Sequence, residues 1–450
     1  MSKRRVFAAA LVLCLLPAVP VRAAESGVTV MVQDGYSCDY GVDVPFTRSE
    51  RTGSYTFALY PGEAVSGAPE VTAAVEITAA KQVNVHLPLR YDLAGPSTWT
   101  LKITAHVAPG REAFDREASA TSTFTTAPTC GCPAGTAEAY YAGNGSEKSP
   151  FWVAIPGQLQ HVGVHSASCL YQERDISLTG TWTPLPTFTG IYDGGGHKIT
   201  GLKVLGSSDD LSPKGLFSHI QGGSITSLWI ENAVVSGANG SGTFAGSMNN
   251  GSISFCHATA HINDVDGYQW PSLGGIVGSM TSSQLENCYF AGVLQSDKGS
   301  SGSRNTRWVG GISGIMYNYC TVRNCYSYVE YQVTDDAFYV HVPLSVGGIA
   351  GDASQSLGND QFLPGGVNSF YNYWVASGSG IPQNGIANLS NSPAGPSANN
   401  GCSKLSSFSS LPDGFDSEIW EMGTVRLPTL SGSVQTVNAP VLKIFTQKHP

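Results

Sequence analysis

Charge is scarce in this chain: only 13% of its 450 residues are Asp, Glu, Lys or Arg, and the balance is acidic, −9 overall. A polyanion-binding surface needs clustered Lys and Arg, so nucleic-acid binding is disfavoured. Helical periodicity is lacking as well. Past the amino terminus the apolar runs are short and alternate, as in Cys325-Tyr-Ser-Tyr-Val-Glu-Tyr331, with no i, i+3, i+4 spacing over ten or more residues. That excludes helical repeats, and no later stretch is long and apolar enough to span a bilayer as a helix. The cysteine spacings offer no matching histidine pair for zinc, and no cofactor is expected.

Glycine is abundant, with 53 residues. Much of it belongs to a repeat: Phe244-Ala-Gly-Ser-Met248, Ile276-Val-Gly-Ser-Met280, Ile312-Ser-Gly-Ile-Met316 and Ile349-Ala-Gly-Asp-Ala353. Between them fall Ile253-Ser-Phe-Cys256, Leu285-Glu-Asn-Cys288 and Val322-Arg-Asn-Cys325. Counted from Phe217, the repeats advance by 27, 32, 36 and 37 residues. A unit of this length made of short strands cannot bury its apolar face alone, whereas stacking on its neighbours builds one continuous core. A parallel β-helix meets that demand. Equivalent positions then recur about 4.8 Å apart, so Phe217, Phe244, Ile276, Ile312 and Ile349 should form one internal ladder and Cys256, Cys288 and Cys325 another.

The stretch from Trp152 to Leu202 contains Ile155-Pro-Gly-Gln-Leu159, Trp182-Thr-Pro-Leu-Pro186 and Phe188-Thr-Gly-Ile-Tyr-Asp-Gly-Gly-Gly-His197. With the Gly-Gly-Ile-x-Gly and Asn-Cys-Tyr segments that follow, and with Glu418-Ile-Trp420 and Arg426-Leu-Pro-Thr-Leu430, it resembles bacterial surface proteins with GLUG repeats over residues 150 to 430. The resemblance implies a right-handed β-helix in a secreted or surface-attached protein, and adhesion or display rather than a reaction.

Lys3-Arg-Arg5, the apolar run Val6 to Leu16 and Val21-Arg-Ala23 read as a secretory signal peptide over 1–23. Its removal takes four of the 24 basic residues, leaving 20 against 33 acids and a net charge near −13. The expected location is extracellular, secreted or at the cell surface. Nine cysteines then remain. Those of the repeat read as small core residues, and Cys38, Cys130, Cys132, Cys169 and Cys402 stand outside it. A bridge from Cys130 or Cys132 to Cys169 is one pairing that suits an oxidising compartment; Cys320 has no assigned place.

Residues 24–127 alternate apolar and polar at period two, as in Tyr55-Thr-Phe-Ala-Leu59 and Trp99-Thr-Leu-Lys-Ile-Thr-Ala-His-Val107. Six or seven such strands make a two-sheet sandwich, and two of them resemble Ig-like domains of Gram-positive pilins. Residues 128–150 are expected to be a linker and the opening of the solenoid, 151–432 the parallel β-helix, and 433–450 a short polar tail.

Parallel β-helices include enzymes that cut acidic polysaccharides, which require paired carboxylates or a base with a metal. Asp335-Asp336 resembles the paired aspartates of polygalacturonases, but the Gly-His-Gly and Arg-x-Lys segments of that family are missing. Asp209-Asp210 is a further acidic pair. Asp264 and Asp266 in Asn263-Asp-Val-Asp-Gly267 offer two carboxylates for calcium without the other ligands of an EF-hand loop. Asp193-Gly-Gly-Gly-His197 reads as a tight reversal in which Asp193 caps the turn, not as an acid–base pair. Aromatic rings suit sugar stacking, and Tyr268, Trp270, Tyr317, Tyr319, Tyr371, Tyr373 and Trp374 gather in the later units. The expected function is therefore non-catalytic display or binding of a glycan or protein partner. The alternatives are a polysaccharide-degrading enzyme using Asp335 and Asp336, and a structural spacer with no ligand.

Overall fold

A computed structural model describes residues 21–22, 29–32, 36–38, 41–47, 52–76, 82–88, 95–110, 117–133, 136, 138–265, 271–296, 307–334, 344–353, 368–387 and 401–443. Most of the signal segment, Asp266, Tyr268, Trp270, Asp335 and Asp336 lie outside the described residues. The chain divides into two compact units, Met1–Thr136 and Ala137–Pro450. Both are nearly all β, and the described residues hold one short helix, Pro156–His161.

The first unit contains two antiparallel sheets. One pairs Gly41–Thr47 with Thr29–Val32, Tyr36–Cys38 and Gln82–Pro88; the other runs Val71–Glu76, Thr52–Pro61, Thr98–Val107, Ala118–Thr125. The period-two alternation works as expected: Leu101, Ile103 and Ala105 are buried while Lys102, Thr104 and His106 between them are only partly covered. Residues 127–133 follow the last strand and join neither sheet.

The second unit contains four parallel sheets, and the repeats that begin at Ser272, Arg307 and Leu344 visit them in the same order. Ser272–Gly274 enters a three-stranded sheet, Val277–Thr281 a five-stranded one, Gln284–Glu286 an eight-stranded one and Tyr289–Ser296 a nine-stranded one. The next repeat lays Arg307–Gly310, Ser313–Tyr317, Thr321–Arg323 and Tyr326–Val333 on those four strands in register. Phe244, Ile276, Ile312 and Ile349 are fully buried and linked, each N–H donating to the next carbonyl at 3.0, 2.9 and 2.9 Å. Phe217 does not share that ladder. It pairs with Ala245, so Leu216 stands at the Phe244 level, because the bulk of both residues hides a one-residue offset in the sequence.

Cys256, Cys288 and Cys325 form the expected buried column just ahead of the paired residues His257, Tyr289 and Tyr326. Burial pushes the Cys256 and Cys325 thiols well up. The column continues where repetition in sequence fades. Asn372 holds the next level, its amide donating to the Val322 carbonyl and Ser369 Oγ at 2.8 Å each while Oδ1 accepts from the Cys325 N–H at 2.9 Å. Cys402 pairs with Asn372 and is buried, so it belongs to the column rather than outside the repeat. Cys320 is buried at a corner between the five- and eight-stranded sheets, its Sγ 3.0 Å from the Tyr317 carbonyl.

One-residue corners turn the chain from the eight-stranded to the nine-stranded sheet. Ser227, Phe255, Asn287, Asn324 and Tyr371 occupy them, all left-handed with φ of 51, 54, 52, 52 and 53°. This explains the Asn-Cys pairs, in which Asn tolerates the left-handed bend and Cys opens the next buried column. Asp193-Gly-Gly-Gly-His197 is the same corner in an earlier repeat, not a reversal: Ile191–Asp193 lies in the eight-stranded sheet and Lys198–Thr200 in the nine-stranded one. Asp193 does cap it, accepting the Gly195 N–H at 2.9 Å.

The expected polar tail is structured through Leu442. Val434–Leu442 pairs antiparallel with Trp420–Pro428, and this hairpin packs on the outer face of the nine-stranded sheet.

Candidate functional site

The outer rows of the two large sheets differ in chemistry. On the nine-stranded sheet the outward residues form a stack of rings, with centroids 5.1 Å apart for Trp229–His257, 4.5 Å for His257–Tyr289 and 4.9 Å for Tyr289–Tyr326. The carboxy-terminal hairpin closes over it. Trp420 is fully buried among Tyr289, Tyr326 and Phe415, its Nε1 donates to Asn287 Oδ1 at 3.2 Å, and Tyr326 donates to the Pro440 carbonyl at 2.6 Å. Tyr373 joins this cluster and donates to the Asp413 carbonyl at 3.0 Å. Trp374 points into the core against Gly348. Neither ring is open to a ligand.

The eight-stranded sheet turns outward a polar row that includes Ser224, Ser252, Gln284 and Thr321, and a second with Thr226, Ser254, Glu286 and Arg323. Along it Ser252 donates to Ser224 Oγ at 3.0 Å and Ser254 to Thr226 Oγ1 at 3.3 Å. At its later end large rings stand in solvent: Tyr319 is 58% exposed, Phe370 49% and Tyr371 53%. Phe370 pairs with Arg323, Tyr371 is the corner after it, and Tyr319 is the corner before Thr321. Tyr319 and Tyr371 are both left-handed, with φ of 47 and 53°, a conformation that bulky residues adopt at a cost. Of the aromatic residues expected to bind, Tyr319 and Tyr371 are exposed among those described, and Phe370 is a third exposed ring that its spacing did not distinguish from core residues.

Asp264, Asp210 and Glu231 are held in local networks. Asp264 accepts from Ser296 Oγ at 2.6 Å, and Arg307 reaches Ser296 Oγ at 3.1 Å and the Thr334 carbonyl at 2.9 Å. Asp210 pairs with buried Lys214 at 2.5 Å and with Ser212, which hold its carboxyl at about 2. Glu231 lies 3.0 Å from Lys198 and 3.6 Å from His257; these neighbours outweigh burial and hold it at about 2. His257 itself is pushed down by burial.

Cys130, Cys132 and Cys169 are thiols, so the suggested bridge from Cys130 or Cys132 to Cys169 is not formed.

No family model matches this chain. It is similar to halomucin of Haloquadratum walsbyi, 30% identical over 154 residues, which is 31% of this chain; the chain spans 2% of that protein's length. Two solved structures of the catalytic domain of a GH87 alpha-1,3-glucanase align at 10% identity over 85% of this chain and 92% of theirs, with TM-scores of 0.12 and 0.11. No helix among the described residues is long and apolar enough to cross a membrane.

Proposed function

We propose that the protein is exported and that its second unit, a right-handed parallel β-helix of the GLUG-repeat kind following an Ig-like sandwich, displays a binding face to a glycan or protein surface. The observation that carries this reading is the exposed trio Tyr319, Phe370 and Tyr371 at the end of the bare polar sheet. Rings with one apolar face in water, flanked by hydroxyl, amide and guanidinium groups, suit stacking against a sugar ring with hydrogen bonds to its hydroxyls. Two of the three keep a left-handed backbone that Asn or Gly would occupy at lower cost, which supports a use for the ring itself.

The test is binding of the processed chain to a glycan array and to whole cells, beside Tyr319→Asn and Tyr371→Asn. Asn tolerates the left-handed corner, so the variants remove the ring without straining the fold. Binding that weakens about tenfold or more in either variant, at unchanged stability, is expected for a stacking contact of roughly 1–2 kcal/mol. Absence of binding to every surface, or binding indifferent to both substitutions, rejects the reading and leaves the structural spacer. Cleavage of uronic-acid polymers, lost in Asp335→Asn with Asp336→Asn, would instead establish the enzyme.

A further inference from the structure

The four-stranded sheet of the first unit carries a hydroxyl, an imidazole and a carboxylate joined by hydrogen bonds on its outer face. Alternation sets the face: Tyr55, Phe57, Leu101, Ile103 and Ala105 are buried, so Ser54, Thr56, Lys102, Thr104 and His106 lie on the side away from the core. Register sets the neighbours. Thr56 is paired with Thr104 and Ser54 with His106, while Ala105 is paired with Ala118, the residue after Glu117. His106 therefore stands diagonally from Thr56 and beside Glu117. Its Nε2 lies 2.7 Å from Thr56 Oγ1 and its Nδ1 2.6 Å from Glu117 Oε1.

The polarity of this chain is fixed by its end. A carboxylate only accepts, so Nδ1 carries the proton and donates to Glu117; Nε2 of the neutral ring is then an acceptor, and Thr56 donates its hydroxyl to it. Other cross-strand pairs of the same sheet are plain hydroxyl pairs with no base, Thr98 with Thr125 at 3.2 Å and Thr100 with Thr123 at 3.3 Å. The triad is also reachable. The His106 and Glu117 side chains are 35% and 62% exposed, and on its other side Thr56 is paired with Ala74, which offers only a methyl group.

We propose that Thr56, His106 and Glu117 form an acyl-transfer site in which the Thr56 hydroxyl takes the acyl group of a carboxylic ester. Thr56 Oγ1 bonds to the ester carbonyl carbon as its proton passes to His106 Nε2, and Glu117 holds the ring and stabilises the imidazolium. The bond from that carbon to the alcohol oxygen then breaks, the departing alkoxide takes the proton from Nε2, and the acyl group stays on Thr56 as a new ester. Water, giving a proton to the same nitrogen, attacks this ester; the bond to Oγ1 breaks, Thr56 recovers the proton and a carboxylic acid leaves. Atoms and protons balance with ester and water as the reactants. Lys102, paired with Ala58, occupies the diagonal opposite to His106. A diagonal of roughly 7–8 Å is within reach of a long side chain, and an ammonium there can meet the charge that develops on the carbonyl oxygen. The site lies wholly in the first unit and is independent of the exposed rings of the second.

The experiment treats the processed full-length chain with p-nitrophenyl acetate and follows p-nitrophenolate release beside mass spectrometry of the peptide spanning Thr52–Pro61. An acetyl group on Thr56 is expected, gained about a hundredfold faster than in His106→Gln, the scale of a positioned general base. Thr56→Ser should still be acetylated at that position and Thr56→Val should not. Glu117→Gln should slow acetylation about tenfold or more, and Glu117→Asp should restore part of the rate, a rescue that a merely structural hydrogen bond would not give. Thr56→Ser and Glu117→Asp keep the hydrogen-bonding groups, so they retain the test even where a harsher variant lowers the melting temperature. Acetyl groups confined to lysines, or a rate at Thr56 that His106→Gln leaves unchanged, would overturn the site.

Discussion

The eight- and nine-stranded sheets are built on the same backbone plan, yet one is covered and the other bare. Their inward rows are alike: Ile225, Ile253, Leu285 and Val322 in one and Ile230, Ala258 and Phe290 in the other are fully buried. The outward rows differ. Trp229, His257, Tyr289 and Tyr326 give the nine-stranded sheet a second apolar face, and the chain's own hairpin buries it. Ser224, Ser252 and Thr321 give the eight-stranded sheet a face that is stable in water, and nothing among the described residues packs as a hairpin there. Inward residues thus build the stack, while outward residues decide what is left available to bind.

The largest test of the shared interior is Ile312→Asp. It places an unpaired carboxylate between Ile276 and Ile349, where the ladder is sealed from water, and should cost about 4 kcal/mol or more in chemical denaturation. An unchanged denaturation midpoint would disprove the register.

Trp420→Ala strikes the covered face instead. Loss of this fully buried ring and of its bond to Asn287 should cost about 3–5 kcal/mol, with faster amide exchange concentrated in Trp420–Pro428 and Val434–Leu442. Loosening spread evenly through the repeats would show that the hairpin is part of the stack rather than a cover for it.

A smaller effect is expected from Glu231 at the edge of the ring stack. Its folded pKa, about 2 against an ordinary 4.5, means that its contribution is fully present above the ordinary value and is lost as pH falls toward 2. The side chain is one-quarter exposed, so solvent screening reduces the gain to roughly 1–2 kcal/mol. Denaturation curves across that acid window should show a drop in wild type that Glu231→Gln lacks; equal slopes would remove the carboxylate from the account.

The smallest change belongs to the bare sheet. Ser252→Ala removes a partly exposed hydroxyl whose partner Ser224 can turn to water, so stability should move by about 0.5 kcal/mol or less. A larger loss would mean that this face, like its neighbour, contributes to holding the stack.

Much of this was readable from strings of residues. The Gly-Gly-Ile-x-Gly segments announced strands stacked at a common level, and the recurring cysteines announced a buried column, since repeated residue types report a repeated environment. Reading failed where repetition changed chemistry without changing place. Asn372 fills a cysteine position by satisfying every polar atom of its amide, and Cys402 then returns to the column after a long insertion. It failed again at Phe217, where two adjacent large residues made a one-residue offset invisible.

For the candidate sites the division is similar. Tyr373 and Trp374 are neighbours in sequence with Tyr371, but strand alternation and the hairpin bury them while the left-handed corner turns Tyr371 out.

By itself the sequence determined a low-charge, strand-built chain with stacked repeats and an alternating first domain, because periodicity and turn residues act over a few positions. The tertiary structure alone decided which outward face is covered and which rings remain in water, because those outcomes depend on contacts between segments whose separation along the chain carries no local signal.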